Sequence, residues 1–217
     1  VVNSNATTYE ASDNDKHVDL AARWSHSFDV YDMGIHWYKG TDRTPQYSAI
    51  SLNSDSVLSA HYQQMEQVGL DVQATIDSWL WKGEVIRQIN PVENFWASQL
   101  GVEYTFYGIQ ESATDVGVLV EYGKDQRGKL ANSAMQNDIG MGARFALNDT
   151  QSTTLMAGAI YDLDFHTTSF SVTGDRRIGD NLTMSIEARA FSTGNSNDPA
   201  AIFAKDDHLK LTLEKYF

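Results

Sequence analysis

From position 182 to 190 the chain alternates without a fault. Leu182, Met184, Ile186, Ala188 and Ala190 stand against Thr183, Ser185, Glu187 and Arg189. A period of two places the two sets on opposite faces of an extended strand. The last residues repeat the device, with Leu209, Leu211, Leu213 and Phe217 on one side and His208, Lys210, Thr212 and Glu214 on the other. Segments 116–122, 139–147 and 155–163 are nearly as clear. Lower-contrast alternation marks 18–28, 33–39, 67–76, 78–88, 95–107 and 167–177, which makes eleven predicted strands and no predicted helix.

Most of these run to about 9–12 residues, the length that crosses a bilayer at a tilt near 45°. Strands of soluble domains are commonly nearer ~5–6 residues. Connection lengths sort as well. Taking the C-terminus as periplasmic puts 40–62, 89–94, 124–136, 164–166 and 192–205 on the outer side, where all three prolines (Pro45, Pro91, Pro199) fall. The connections at 29–32, Asp77, 109–114, 148–152 and 178–181 fall on the inner side and are mostly the shorter ones, with 164–166 a brief exception on the outer side. Long outer loops and short inner turns are the asymmetry of an outer-membrane barrel. The expected fold is therefore all-β: an antiparallel transmembrane β-barrel with 11–12 strands in this chain. Residues 1–16 read as a polar N-terminal segment or outer loop, and 17–217 as the barrel strands. An odd number of strands leaves the two ends on opposite sides. The expectation is that the sequence is the C-terminal part of a larger barrel, closed by upstream strands or by another chain.

Composition narrows the function. The 217 residues carry a net charge of −13, which lacks the basic stripe a nucleic-acid binder needs. There is no cysteine, hence no disulfide and no thiolate metal site. No apolar run approaches a membrane helix. Mean hydropathy is −0.39, compatible with a barrel because only alternate residues meet lipid. No charged-then-apolar leader opens the chain at Val1, so a secreted form would already have lost it.

The stretches Gly101-Val102-Glu103-Tyr104-Thr105-Phe106-Tyr107-Gly108, Ala146-Leu147-Asn148-Asp149-Thr150-Gln151-Ser152-Thr153 and Glu187-Ala188-Arg189-Ala190-Phe191-Ser192, with the terminal strand, carry a resemblance. They resemble the C-terminal half of a functionally uncharacterised family of proteobacterial outer-membrane barrels. The resemblance covers 17–217. It implies a bacterial outer-membrane location and an upstream half, and it carries over no catalytic residue. Phe217 in last position resembles the signal read by barrel-assembly machinery. The implied partners are the lipid bilayer with its lipopolysaccharide, that assembly machinery acting through the C-terminal strand, and a possible partner protein.

The candidate chemistry lies on the polar face. By parity the lumen would hold Arg23, Asp71, Lys82, Glu84, Glu103, Glu121, Arg144, Asp175, Arg177, Glu187, Arg189, Lys210 and Glu214, with Asp19, His36, Asp162 and Asp164. Two readings follow. The charges filter small polar solutes in a porin-like channel, or they knit a filled, non-conducting scaffold. Expected ion pairs join Glu187 and Arg189 to Arg177 and Asp175, and to Lys210 and Glu214. Ser25 and His26 are adjacent and point to opposite faces, so they make no nucleophile–base pair. No enzyme, no cofactor and no metal is expected. Asp162, Asp164 and His166 would share one strand face, as a solvated rim or a weak cation site. Gly140 and Gly142, within a strand, make room for a neighbour rather than a phosphate loop. Trp24, Phe28, Tyr31, Trp79, Tyr104, Phe106, Tyr216 and Phe217 would form an inner aromatic belt, with Trp37, Phe95, Trp96, Tyr122 and Tyr161 an outer one.

Overall fold

Alternating sequence becomes paired strand along most of the chain. The computed structural model describes residues 2–52, 55–131, 133, 135–193, 195 and 198–217. Its strands are β1 (Thr8–Tyr9), β2 (Leu20–Phe28), β3 (Tyr31–Thr41), β4 (Gln46–Leu52), β5 (Asp55–Tyr62), β6 (Gln64–Ile76) and β7 (Trp79–Ile89). They continue as β8 (Asn94–Phe106), β9 (Asp115–Asp125), β10 (Asn137–Ala146), β11 (Thr154–Asp162), β12 (Thr168–Ile178), β13 (Leu182–Ser192) and β14 (His208–Lys215). An 11-stranded, mainly antiparallel sheet has the order β14-β13-β12-β11-β10-β9-β8-β7-β6-β3-β2. These are the eleven strands that the periodicity predicts. The sheet is open: β14 and β2 are its edges, and it does not close into a barrel within this chain.

Two departures from the sequence reading concern the first third of the chain. No twelfth strand of the large sheet lies in 1–16. The short β1 there pairs in parallel with β5, Thr8 opposite His61 and Tyr9 opposite Tyr62. The segment 40–62, read as one loop, instead contains β4 and β5, an antiparallel pair that completes a separate three-stranded sheet. Its serines and its mixed Tyr47-Ser48-Ala49-Ile50 order hide the alternation that pairing with β1 and β5 satisfies. The chain divides into two compact units. One comprises 1–27, 33–71 and 85–96, and the other 28–32, 72–84 and 97–217.

In the second unit the register fixes both faces. Leu209 faces Ala188, and the row continues through Val172, Ala157, Ala143 and Val118 to Tyr104. A parallel row starts at Leu211 and runs through Ile186, Gly174, Leu155, Phe145 and Val116 to Phe106. Another links Ala190, Phe170, Ala159, Met141, Val120 and Val102. A one-residue slip in any strand would throw its polar set into this layer. Among the described residues the layer stays exposed: Val118 is 43 % exposed, Met141 56 % and Leu209 73 %. The buried apolar side chains among them are Ala11, Ala60, Ala74, Phe95, Ala131 and Phe165. That set makes no second layer of the kind a soluble sandwich needs.

The tight turns are built from residues that tolerate positive φ. Asp29 and Asp77, both at φ 51°, each open a two-residue connection, β2 to β3 and β6 to β7. The β10–β11 turn is pinned by Asp149. Its carboxylate accepts from the Thr153 backbone N–H at 2.7 Å and from Thr153 Oγ1 at 2.7 Å, and Arg176 lies 3.8 Å away. The Thr153 N–H, then its hydroxyl, hold the Asp149 carboxyl below the ordinary aspartate range, with a smaller pull from Arg176. A carboxyl with a depressed folded-state pKa stabilises the fold above its unfolded value of about 3.9 and loses that contribution as pH falls through the folded value. Replacing it, Asp149→Asn, is expected to lower the urea midpoint at pH 6, while the two proteins converge by pH 2. An equal gap at both pH values would contradict the turn's dependence on that charge.

Candidate functional site: a charged face bridged over glycines

The polar face of the large sheet carries most of the sequence-predicted site residues, and glycine governs how they meet. Second-neighbour strands lie roughly 9–10 Å apart, twice the interstrand spacing. An intervening side chain would block a bond across that gap. At each of three places the intervening residue is glycine. Arg23 of β2 reaches Asp71 of β6 over Gly34 of β3, with Nη2 donating to Oδ2 at 3.0 Å and Nη1 2.8 Å from Oδ1. Lys82 of β7 stands 3.4 Å from Glu121 of β9, whose side chain lies over Gly101 of β8. Arg144 of β10 donates to Glu103 of β8 at 2.7 Å over Gly117 of β9. A Cβ at Gly117 would fall 2.7 Å from Glu103 Oε1, and one at Gly34 would fall 2.7 Å from Asp71 Oδ2. The His36 ring also rests on a glycine, Gly69 of the adjacent β6, and lies 3.3 Å from Gln67 Nε2 of the same strand.

The carboxylates of these pairs are more enclosed than their cations: the Glu103 side chain is 12 % exposed, against 56 % for Arg144. Ion pairs with one partner in water contribute about 0.2–1 kcal/mol each. Their effect is to fix where charge stands on the face more than to hold the sheet together.

The other sequence-predicted residues divide. Asp175, Glu187, Lys210 and Glu214 line a cleft of about 280 Å³ over β12–β14, where Ser185 Oγ donates to Asp175 at 2.7 Å. The expected cross-strand pairs are corrected there. Glu187 faces Lys210 in the register, but its carboxylate lies closest to Arg189 at 2.8 Å, two residues along the same strand, and to the His208 ring at 3.6 Å. Arg177 faces Thr183 and turns to the β10–β11 connection, donating to the Thr150 carbonyl at 2.9 Å and to Ser152 Oγ at 3.1 Å. Glu84 is exposed on the face of β7 that carries Lys82. Asp19 lies before β2 and accepts from the Thr41 N–H at 2.8 Å while pairing with Arg43, so it pins the end of β3. Phe217 lies beyond the end of β14 and is fully exposed.

Asp162, Asp164 and His166 do not share a strand face. The strand β11 ends at Asp162, whose Oδ1 accepts from the backbone N–H groups of Asp164 and Phe165 at 2.7 and 2.8 Å. His166 sits at φ 62° in the turn, 2.7 Å from the Tyr161 hydroxyl. No group of three His, Asp or Glu among the described residues is arranged to hold a metal ion. His26 stacks with Trp24 at 5.8 Å. On the polar face Gly142 stands directly opposite Gly158, with Leu119 over it, so glycine here admits a neighbour.

Aromatic side chains gather at both ends of the apolar layer. Trp79 meets Tyr104 edge-on at 4.6 Å, and Tyr104 meets Phe106 at 4.7 Å. Toward the opposite end of the second unit the Tyr122 hydroxyl donates to Asn137 at 2.9 Å, and within the other unit Trp37 donates to Glu66 at 2.8 Å, each ring with its polar tip bonded. Phe95 leaves this belt, being only 4 % exposed.

Sequence parity found the charged residues but not their partners, because second-neighbour pairing depends on strand order and register. The one signal available was glycine at polar-face positions of long strands. Compared with known proteins, the chain matches no family model, no curated protein and no solved structure.

The bridges predict a non-additive pair. Gly117→Ala and Glu103→Gln should each destabilise by about 0.2–1 kcal/mol, and the double variant by little more than either, since both remove the same contact. Gly140→Ala is the control: its Cβ would meet nothing nearer than 3.7 Å, and its effect should stay within about 0.5 kcal/mol. Urea denaturation of the set measures this, and full additivity would refute the bridge.

Proposed function

We propose that this chain forms part of the wall of a β-barrel in the outer membrane of a Gram-negative bacterium, with its apolar layer against lipid and its charged face toward a lumen that passes small polar solutes. One observation carries the reading. An uninterrupted apolar layer runs in register from β8 to β14 and stays exposed, while the opposite face carries the ion pairs. Monomeric soluble proteins seldom expose contiguous apolar patches beyond a few hundred Å², whereas a transmembrane barrel strand needs this division. The aromatic clusters toward both ends of the layer, with polar tips bonded at one of them, suit two membrane–water interfaces. In this reading the edges β2 and β14 pair with further strands or another chain, because backbone groups unpaired in lipid cost several kcal/mol each. The bilayer with its lipopolysaccharide, and assembly machinery engaging β14 and Phe217, are the partners the reading implies.

A second reading has its own support. The bridges over Gly34, Gly101 and Gly117, with Leu119 on the same face, put bulk and fixed charge where a channel would need space. A non-conducting scaffold holding a periplasmic or surface partner would use the face in that way.

Two measurements test the proposal. Flotation on a density gradient after alkaline washing should carry the protein with liposomes, and recovery in the soluble fraction without detergent would overturn the membrane reading. In planar bilayers the channel reading expects discrete conductance with cation preference, given a net charge of −13. Glu121→Gln and Glu103→Gln should each shift the reversal potential toward zero. Stable insertion without conductance would select the scaffold.

A further inference from the structure

The ends of β10, β11 and β13 and the connections after β9, β11 and β13 enclose a cavity of about 440 Å³ that none of the foregoing uses. It lies wholly within the second compact unit. Its walls differ in chemistry. One side gathers carboxylates: Asp138 and Asp162 stand directly opposite each other in the β10–β11 register, and Asp198 joins them from the β13–β14 connection. All three are buried, at 3 %, 5 % and 5 % exposure. The other side is apolar, with Ile160 and with Phe191 and Phe203, whose rings stack 5.9 Å apart. None of the described lining residues is basic.

Like charges directly opposite on paired strands are destabilising, and a buried carboxylate needs partners for its oxygens. Asp162 has them: two backbone N–H groups on Oδ1 and the Gln136 amide on Oδ2. Asp138 accepts from the Asn137 N–H at 3.0 Å. Asp198 accepts at Oδ1 from the Ala200 N–H at 2.7 Å, but its Oδ2 is buried with no hydrogen-bond partner. Thr167 Oγ1, 5 % exposed as a residue and lining the same cavity, is also without one. Leaving such groups buried and unmet is costly. The unmet groups are a carboxylate oxygen and a hydroxyl, so the complement is a donor with positive charge. A divalent metal is a poor candidate. Calcium takes roughly 6–8 oxygen ligands, and the described acids form no metal-holding group. The volume falls within the range of about 300–1,000 Å³ for small-molecule sites, whose linings are largely apolar with a few placed polar groups.

We propose that this cavity binds a small organic ammonium ion, its nitrogen donating to Asp198 Oδ2 and Thr167 Oγ1 and offsetting part of the negative charge of the Asp138–Asp162–Asp198 group, its apolar body against Phe191 and Phe203. The inference does not depend on the bilayer. It stands on side chains of one unit, whatever medium surrounds the sheet.

Calorimetric titration of the folded protein with phenethylammonium chloride, with 2-phenylethanol and with calcium chloride tests it. The ammonium should bind at one site, and the neutral alcohol of the same shape at least tenfold more weakly. Asp198→Asn should weaken the ammonium at least tenfold and leave the alcohol unchanged. Thr167→Val, which keeps the shape and removes the hydroxyl, should weaken it severalfold and supplies the test if Asp198→Asn loses the far-UV circular dichroism of the fold. Equal binding of ammonium and alcohol, ammonium binding unchanged in both variants, or binding of calcium alone would each overturn the proposal.

Discussion

A single sheet can bury an apolar face only against something else, and among the described residues of β8 to β14 that face stays exposed. Strands β8 to β14 hold Val118, Met141, Phe170, Ile186 and Leu211 in one layer through unbroken register. At about 25 cal/mol per Å², leaving such a layer in water forfeits the main favourable contribution to folding. Hydrogen bonding along the ladders cannot substitute for it, since each bond nets only about 0.5–1.5 kcal/mol against water. Whatever covers this layer therefore governs the stability of the sheet. Under the proposed membrane reading that cover is hydrocarbon, and the aromatic contacts of Trp79, Tyr104 and Phe106 are the kind an interface would hold.

The opposite face answers to a different constraint. Charged side chains held close together in a partly enclosed space must find partners, and adjacent strands offer only the residues directly opposite or diagonal. Glycine in the middle strand extends that reach by one strand. Arg144 meets Glu103 because Gly117 has no Cβ, and Arg23 meets Asp71 because Gly34 has none. Glycine ordinarily weakens a strand. Here part of that cost is offset by the charge pairing it permits, so the glycines and the charges belong to one design.

How much of this the amino-acid order discloses depends on the range of the interaction. Alternation is local, so Leu182 to Ala190 and Ile139 to Phe145 could be assigned to faces from parity alone. The strand count of the large sheet followed from the same property. Residues 46–62 could not be read that way. Tyr47, Ala49 and Ile50 do not alternate cleanly with their serines, and β4 is stabilised by its pairing with β5. Phe95 has the parity of the polar face and is buried, which a count of aromatics near strand ends does not reveal. Arg177 shares parity with Asp175 yet bonds to Thr150 and Ser152, because a long side chain at a strand end can reach the next turn. Asp162, Asp164 and His166 looked equivalent until the chain turned after Asp162. The cavity was less legible still. Asp138, Thr167 and Asp198 lie far apart in the chain, and only the β10–β11 and β11–β12 registers bring their neighbourhoods together.

The two faces also explain why the edges matter. A sheet whose one side is apolar and whose other side is charged cannot be closed by stacking a second sheet on both, because one surface wants hydrocarbon and the other wants water or counter-charge. It can be closed laterally. Strand β14 offers Leu209, Leu211 and Leu213 on one face and Lys210, Thr212 and Glu214 on the other, and β2 repeats the division with Leu20 and Trp24 against Arg23. A strand added at either edge must continue both layers at once, which requires the same period-two pattern in the same phase. Any partner that pairs there, from the same polypeptide or another, is thereby constrained in sequence before anything is known of its identity.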